Sequence, residues 1–126
     1  MASFVTDIEG QTRQNDNFRK VIFTAPHSQL VLMSLKPGEE IGSEVHPNVD
    51  QFFRIEVGQG KVVVEGKETP IKDGTAIVIP AGTRHNVINT GSVPLKLYTI
   101  YSPPNHPDGT IHRTKAEAEA YEAGHH

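Results

Sequence analysis

Alternation of apolar and polar residues with a period of two runs along most of the sequence, and this feature limits the fold most strongly. Turn signals rich in Gly, Pro, Asn and Asp interrupt the alternation at spacings of about 8–12 residues. Nine short strands are predicted, at residues 21–24, 29–35, 41–46, 51–57, 61–65, 69–71, 75–79, 85–89 and 95–101. Many short strands joined by regular turns are typical of an all-β sandwich or barrel.

Both ends of the chain depart from this pattern. Residues 114–122 are rich in Ala and Glu, which favour helix, and Thr114 is placed to cap a short C-terminal helix. The segment 12–18 is polar and favours neither kind of element. His125 and His126 are given no functional weight, because paired terminal histidines are also typical of a tag remnant.

Length and composition indicate one globular domain without cysteine chemistry. The chain has 126 residues, which fits a single domain. Hydrophobic residues make up 36%, and the 11 glycines bring the total to about 45%, close to the globular average. The absence of Cys excludes disulfides, thiolate metal ligands and a Cys nucleophile.

Charge and hydropathy exclude two classes of partner. The net charge of −3 argues against a nucleic-acid partner, which requires a basic surface. Residues 1–10 lack the basic and apolar regions of a signal peptide. No apolar run approaches the roughly 18 residues of a membrane span. We therefore expect a soluble, cytoplasmic protein with no membrane partner.

Residues 74–89 hold the first candidate site residue. Gly74, Pro80 and Gly82 outline a strand, a tight turn and a new strand that begins at His85. A lone His at such a position is more often structural than a metal ligand, so its assignment depends on partners elsewhere in the chain. Asn89 ends the stretch, and we expect its side chain to hydrogen-bond the backbone.

Residues 38–58 supply those partners. Glu44 and His46 are two positions apart on a predicted strand, so their side chains point to the same face. Gln51 begins the next strand and heads an inward apolar stripe, which continues with Phe53, Ile55 and Val57. A polar group that is buried without a partner is costly, and a metal ion would satisfy Gln51, Glu44, His46 and His85 together.

The two stretches resemble the paired motifs of the cupin superfamily. Residues 74–89 match the family pattern at every fixed position, and residues 38–58 match its spacing. The resemblance implies an all-β fold, the cupin double-stranded β-helix or jelly-roll barrel, with a short C-terminal helix. It also implies a single cupin domain over residues 1–126. The barrel would span about residues 19–103, between an N-terminal arm over 1–18 and a C-terminal tail over 104–126.

The resemblance further implies one divalent transition metal, held by Glu44, His46, Gln51 and His85. The family usually has His-x-His followed by Glu, whereas Glu44 replaces the first His here and Gln51 replaces the Glu. The number of carboxylates is unchanged, but an amide oxygen replaces one imidazole, so we expect weaker binding. Fe, Mn, Ni and Zn all suit such donors. The alternative is a metal-free barrel in which Glu44 and Gln51 hydrogen-bond to His46 or His85.

Other polar residues receive weaker assignments. Tyr98, Tyr101 and Arg84 could reach the pocket as acid/base or anion-binding groups, and Tyr98 and Arg84 are the candidate catalytic residues. By alternation from Gln51, Arg54 faces away from the metal. Three histidines in turns and in the tail are expected to be solvated, namely His27, His106 and His112.

Three functions are compatible with these residues, and an enzyme is preferred over a non-catalytic binding module. The first is a metal-dependent enzyme that acts on a small carbonyl or sugar substrate, as an isomerase does. The second is an Fe(II)- or Mn-dependent dioxygenase, which the apolar stripe favours because it predicts a mostly apolar cavity. The third is a non-catalytic module that binds a small ligand. In each case the partner is a small molecule.

A homodimer is also predicted. Strands near residues 19–24 and 95–101 are expected to lie at sheet edges, and an exposed edge needs to be covered. A second copy of the chain is the cover that the resemblance implies.

Overall fold

The computed structural model describes residues 2–124 of the chain. Met1, His125 and His126 lie outside the described residues, and so does the prediction made for the two terminal histidines. The described part has two helices and nine strands: α1 (Ile8–Gln14), β1 (Arg19–Thr24), β2 (Gln29–Leu35), β3 (Asp50–Val57), β4 (Gln59–Val64), β5 (Lys67–Lys72), β6 (Ala76–Ile79), β7 (His85–Asn89), β8 (Leu95–Ser102), β9 (Ile111–His112) and α2 (Lys115–Gly124). The all-β prediction and the short C-terminal helix are confirmed.

The strands form two antiparallel sheets. The larger sheet has the order β6-β3-β8-β2-β1-β9, and the smaller has the order β5-β4-β7. The buried apolar side chains of the two sheets form one core cluster, with Met33, Phe53 and Leu97 from the larger sheet and Val62 and Val87 from the smaller. The core therefore lies between the sheets, as expected when alternate residues of each strand face inward.

The apolar stripe on β3 ends earlier than the sequence predicts. Phe53 and Ile55 are fully buried, but the pairing of β3 with β8 shifts register after Ile55. This irregularity pairs Val57 with Lys96 and leaves Val57 only half-buried. A β-bulge changes the face of the sheet on which the following residues lie. Strict alternation of inward and outward residues does not predict such a change.

The segment predicted as a strand over residues 41–46 is not a regular strand. It runs antiparallel to β7 and makes only two isolated bridges, Glu40 with Ile88 and Glu44 with His85. Gly42 separates the bridges with a φ of 109°, a conformation that interrupts an extended strand. Asn86 stabilises this break, because its Oδ1 accepts a hydrogen bond of 2.8 Å from the Gly42 backbone N–H.

The prediction that residues 95–101 form an edge strand is wrong. β8 lies in the middle of the larger sheet, paired with β2 on one side and β3 on the other. β1 pairs with β2, and its other side is covered at Arg19 and Lys20 by the two-residue β9. Sheet order depends on contacts distant in sequence, so alternation alone does not identify the edges.

The two helices begin at side-chain caps. The Asp7 carboxylate accepts a hydrogen bond from the Gly10 backbone N–H at the start of α1. The Thr114 hydroxyl accepts one of 3.1 Å from the Glu117 backbone N–H, which confirms its predicted role before α2. No helix within residues 2–124 has the length and apolar character needed to cross a membrane.

Candidate metal and ligand site

The four predicted ligands lie at one end of the barrel, where the segment before β3 runs beside β7. Glu44 and His85 exchange two backbone hydrogen bonds of 2.9 and 3.0 Å, so they form a directly opposed antiparallel pair. Side chains of such a pair lie side by side on one face. The ring of His46 lies 5.7 Å from that of His85, centroid to centroid.

The side chains of the four residues form two close pairs. Glu44 Oε2 lies 2.8 Å from His46 Nε2. Gln51 Oε1 lies 3.1 Å from His85 Nε2, and Gln51 Nε2 donates a hydrogen bond of 3.0 Å to the Thr99 hydroxyl. Both contacts are the hydrogen-bonding partners expected in the metal-free alternative. They also bring candidate ligands together in pairs, as the metal-bound alternative requires.

The second pair is held by two further polar groups. His85 Nδ1 lies 3.0 Å from the Thr83 carbonyl oxygen, which only accepts hydrogen bonds, so Nδ1 is the donor in that contact. His85 Nε2 faces the Gln51 amide, which also contacts the Thr99 hydroxyl. Nε2 and the amide oxygen are the atoms of this pair that would bind a metal.

The first pair is a contact between an imidazole and a carboxylate. His46 Nε2 is buried and lies 2.8 Å from Glu44 Oε2, in a direction that is poor for a hydrogen bond. Ligand atoms about 2.1 Å from one metal at a right angle lie about 3 Å apart, which is close to the separations in both pairs. The donor types and these separations therefore fit a divalent metal.

The four residues are nevertheless not arranged as one ready-made cluster. Among residues 2–124, no group of three or more His, Cys, Asp or Glu side chains has the arrangement of a metal site. Glu44 and His46 belong to the irregular segment, whereas Gln51 and His85 begin regular strands of two different sheets. Binding one ion with all four residues would require the two pairs to approach each other.

The electrostatic surroundings keep Glu44 ionised. Burial alone would raise its pKa, but the contact with His46 and the positive charges of His46, Arg19 and His85 outweigh burial and hold the pKa below its usual range. An ionised carboxylate is the form that binds a metal.

A cavity of about 710 Å³ opens next to Glu44 and His46. Its volume lies within the range of small-molecule sites. Gln51 and His85 are buried and do not line it. Its lining is mostly polar, including Arg19, Ser43, Glu44, His46, Asn105, His106, His112, Lys115, Glu119, Tyr121 and Glu122. The prediction of a mostly apolar cavity is therefore wrong, because Phe53 and Ile55 belong to the core and do not line the cavity.

Of the two tyrosines named as possible acid/base groups, Tyr101 is the one near the site, and His106 is a site residue that the sequence did not indicate. The Tyr101 hydroxyl lies 3.2 Å from His106 Nε2, and the Tyr101 ring packs edge-on against His46, with centroids 5.9 Å apart. Burial, and then the negative charge of Glu44, raise the pKa of Tyr101, so its hydroxyl remains protonated. Tyr101 has the same parity along β8 as Thr99, whose contact with Gln51 is visible only in the structure.

The expectation that His106 and His112 are solvated is wrong. Gln29 is 1% exposed and holds the loop of His106 against the sheet by accepting hydrogen bonds from the backbone N–H groups of Asn105 and His106. His112 lies in β9 and is 8% exposed. Of these three histidines, His27 is the one that is exposed, as expected.

The two predicted catalytic residues lie outside the cavity. Tyr98 has the opposite parity from Tyr101 on β8, and its ring packs near Phe52 on the outer face. The structure therefore does not bring Tyr98 to the site. Arg84 is exposed at the rim, where its Nη1 donates a hydrogen bond of 3.1 Å to the Ser43 hydroxyl.

Two further predictions concern residues outside the site. Arg54 faces away from it and contacts Glu56 at 3.2 Å. The Asn89 side chain donates hydrogen bonds to the backbone carbonyls of Leu35 and Val93 and accepts one from Gly91, which confirms its expected structural role.

Comparison with known proteins identifies the family. Residues 31–101 match the family model described as the cupin domain. The chain is 56% identical over 126 residues to YrkC of Bacillus subtilis, which covers 94% of this chain and 67% of that protein. It is 50% identical to BH2720 of Bacillus halodurans, whose crystal structure superposes with a TM-score of 0.93 and covers 94% of this chain and 95% of that one.

A more distant relative is the oxalate-binding protein of Thermotoga maritima. The identity is 31% over 68 residues, which cover 54% of this chain and 56% of that protein. The family match spans both motif regions from before Glu44 to Tyr101, and the fold agrees with it. The chain belongs to the cupin family.

Proposed function

We propose that this cupin is a metal-dependent enzyme that moves a proton on a small, polar carbonyl substrate. The observation that supports it most is the grouping of two imidazoles, a carboxylate and an amide next to a polar cavity, with Glu44 and His46 on its wall and Gln51 and His85 buried. A divalent metal bound there would polarise a carbonyl oxygen as a Lewis acid.

The residues of the chain have separate roles in this proposal. The four residues that would hold the metal are His46, His85, Glu44 and Gln51. The Thr83 carbonyl lies 3.0 Å from His85 Nδ1 and would orient the ring so that Nε2 faces the metal.

Tyr101 and His106 are proposed to control the proton beside the cavity, which His106 lines and behind which Tyr101 is buried. The raised pKa of Tyr101 keeps its hydroxyl protonated, so it can donate a hydrogen bond to oxygen as negative charge develops there. His106 lies 3.2 Å from that hydroxyl and orients it.

The polar lining favours this reaction over the dioxygenase, for which an apolar cavity was expected. The similarity to an oxalate-binding protein supports a small, oxygen-rich ligand. The isomerase-type assignment goes beyond that similarity and is supported by the polar cavity and the candidate metal ligands beside it.

Metal content tests the site. Purified protein should hold about one equivalent of a divalent transition metal per chain, and His46→Ala and His85→Ala should each lose most of it, since each removes a donor. His27→Ala is the matched control, because His27 is exposed and distant in sequence from the site. Unchanged metal content in both site variants would show that the assignment is wrong.

Isotope exchange tests the reaction. Metal-loaded protein should transfer deuterium from D₂O to the carbon beside the carbonyl of small keto and hydroxy-carbonyl compounds, followed by NMR. Oxygen consumption without exchange would instead identify the dioxygenase. Ligand binding without either reaction would identify the non-catalytic module.

A further inference from the structure

Arg19 is a buried cation on the cavity wall, and its ion pair with Glu122 is long. Its side chain is 3% exposed, and its Nε and Nη1 atoms are buried without a hydrogen-bond partner in the part of the chain that the structure describes. Its ion-pair partner is Glu122, whose Oε1 lies 3.5 Å from Nη1. That separation is long for a charge-assisted hydrogen bond.

Such a cation requires a partner. A buried charge costs several kcal/mol unless a counter-charge and hydrogen bonds compensate it. The ring of Phe18, 5.4 Å from the Arg19 guanidinium carbon, provides a cation–π contact but no acceptor. The positive charge of Arg19 also acts on Glu44, and both residues line the same cavity.

We infer that Arg19 binds a carboxylate group of the ligand in this cavity, and that Glu122 competes with the ligand for the same guanidinium. The inference rests on the proposed function only in taking the cavity as the ligand site. A guanidinium presents parallel N–H groups that match the two oxygens of a carboxylate. Glu122 lies on the last part of α2 with its side chain 61% exposed, so a ligand carboxylate would have to displace only this one long contact from the guanidinium.

The other charges of the cavity favour a carboxylate over a phosphate. Glu44, Glu119 and Glu122 all line it, and only Arg19 and Lys115 oppose them among its Lys and Arg residues. A doubly charged phosphate would meet stronger repulsion than a singly charged carboxylate. The substrate class is therefore a small carbonyl compound that also bears a carboxylate.

Calorimetric titration tests this assignment. The probes are the monoanion pyruvate and the dianions oxalate and malonate, with oxamide as the uncharged analogue of oxalate and inorganic phosphate as the competing anion. At least one carboxylate should bind wild-type protein more tightly than oxamide and phosphate do. Arg19→Gln should weaken its binding by about 10- to 100-fold, since a hydrogen bond to a charged group is lost.

Three further variants sharpen the test. Arg19→Lys retains the charge but not the paired donors, so binding should fall less than in Arg19→Gln. Glu122→Gln removes the competing charge and should tighten binding several-fold. Arg54→Gln is the matched control, because Arg54 faces away from the site, and it should bind as wild type does.

Several results would overturn the inference. These are Arg19→Gln binding within about twofold of wild type, oxamide binding as tightly as oxalate, phosphate binding more tightly than every carboxylate, or no carboxylate binding at millimolar concentration. If Arg19→Gln does not fold, weaker binding by Glu122→Gln would overturn it independently. Metal content, measured in the same samples, separates the two proposals: a wild type without metal contradicts the proposed function, whereas Arg19-dependent binding still supports the carboxylate site.

Discussion

His106 shows how the environment of a single residue changes what it can do. Its ring borders the cavity, and its loop is fastened to the sheet by Gln29. Burial, followed by the positive charge of Arg19, lowers the pKa of His106 to about 3. The ring is therefore neutral near pH 7, which suits an orienting role beside Tyr101.

This neutral ring should make the fold sensitive to acid. The folded pKa of about 3 lies below the ordinary value of 6.5, so the unfolded chain binds the proton more readily. The stability contributed by His106 is complete above pH 6.5 and is lost as the pH falls toward 3, at up to about 1.4 kcal/mol per pH unit. Urea unfolding between pH 7.5 and 4.5 measures this loss.

The His106→Gln variant isolates the effect. It removes the titrating group, so the slope of unfolding free energy against pH should become shallower, even though the variant is less stable at pH 7. His27→Gln serves as control, because His27 is exposed and should leave the slope unchanged. Equal slopes for His106→Gln and wild type would contradict the prediction.

At the level of elements, β4 packs closely against its neighbours at Gly60. A side chain added there would place its Cβ 2.3 Å from the Ile88 carbonyl oxygen and 3.1 Å from Leu95 Cδ2. Gly66, in the hairpin between β4 and β5, is different: its φ is 81°, and nothing lies within 4 Å of an added Cβ. The first glycine is required for space and the second for backbone conformation.

Substitutions at these two glycines should therefore differ. Gly60→Ala should lower the free energy of unfolding by about 1–3 kcal/mol, because backbone must move to admit the methyl group. Gly66→Asn should change it by less than about 1 kcal/mol, since Asn tolerates the left-handed conformation. Chemical denaturation compares them, and equal destabilisation would show that the close packing at Gly60 is not limiting.

The whole molecule has an apolar row on the outer face of its larger sheet. Strand pairing aligns Val78 with Phe52, Phe52 with Ile100, and Ile100 with Leu30. Val78 is 68% exposed and the other three are half-buried. An exposed apolar surface of this kind is typical of a subunit interface. The homodimer remains a proposal. We now propose that its subunits meet through this outer face and not through the edge strands first expected.

Val78→Asp tests the proposed dimer. A charge at the centre of an apolar interface is costly to bury, so the variant should be monomeric at a concentration where wild type is dimeric. Light scattering coupled to gel filtration measures the mass. Val93→Asp is the matched control, since Val93 is 49% exposed in the turn before β8. A monomeric wild type would contradict the dimer, and a dimeric Val78→Asp would exclude this face.

The sequence alone determined the architecture and the four candidate ligands. Alternation shows which residues of a strand face inward, and turn residues show where strands end, so the β-fold follows from local rules. The resemblance to the cupin motifs assigned Glu44 and His85 to one site, and the structure brings these residues together. That they hold a metal stays a prediction.

Only the tertiary structure decided how the strands are ordered and what surrounds the site. The central position of β8, the polar cavity and the buried Arg19 all depend on contacts between residues far apart in the chain. Tyr98 and Tyr101 look equivalent in the sequence, but the packing of β8 turns one outward and the other toward His46. The local pattern shows on which face of a strand a residue lies. Packing between distant segments determines which residues that face contacts.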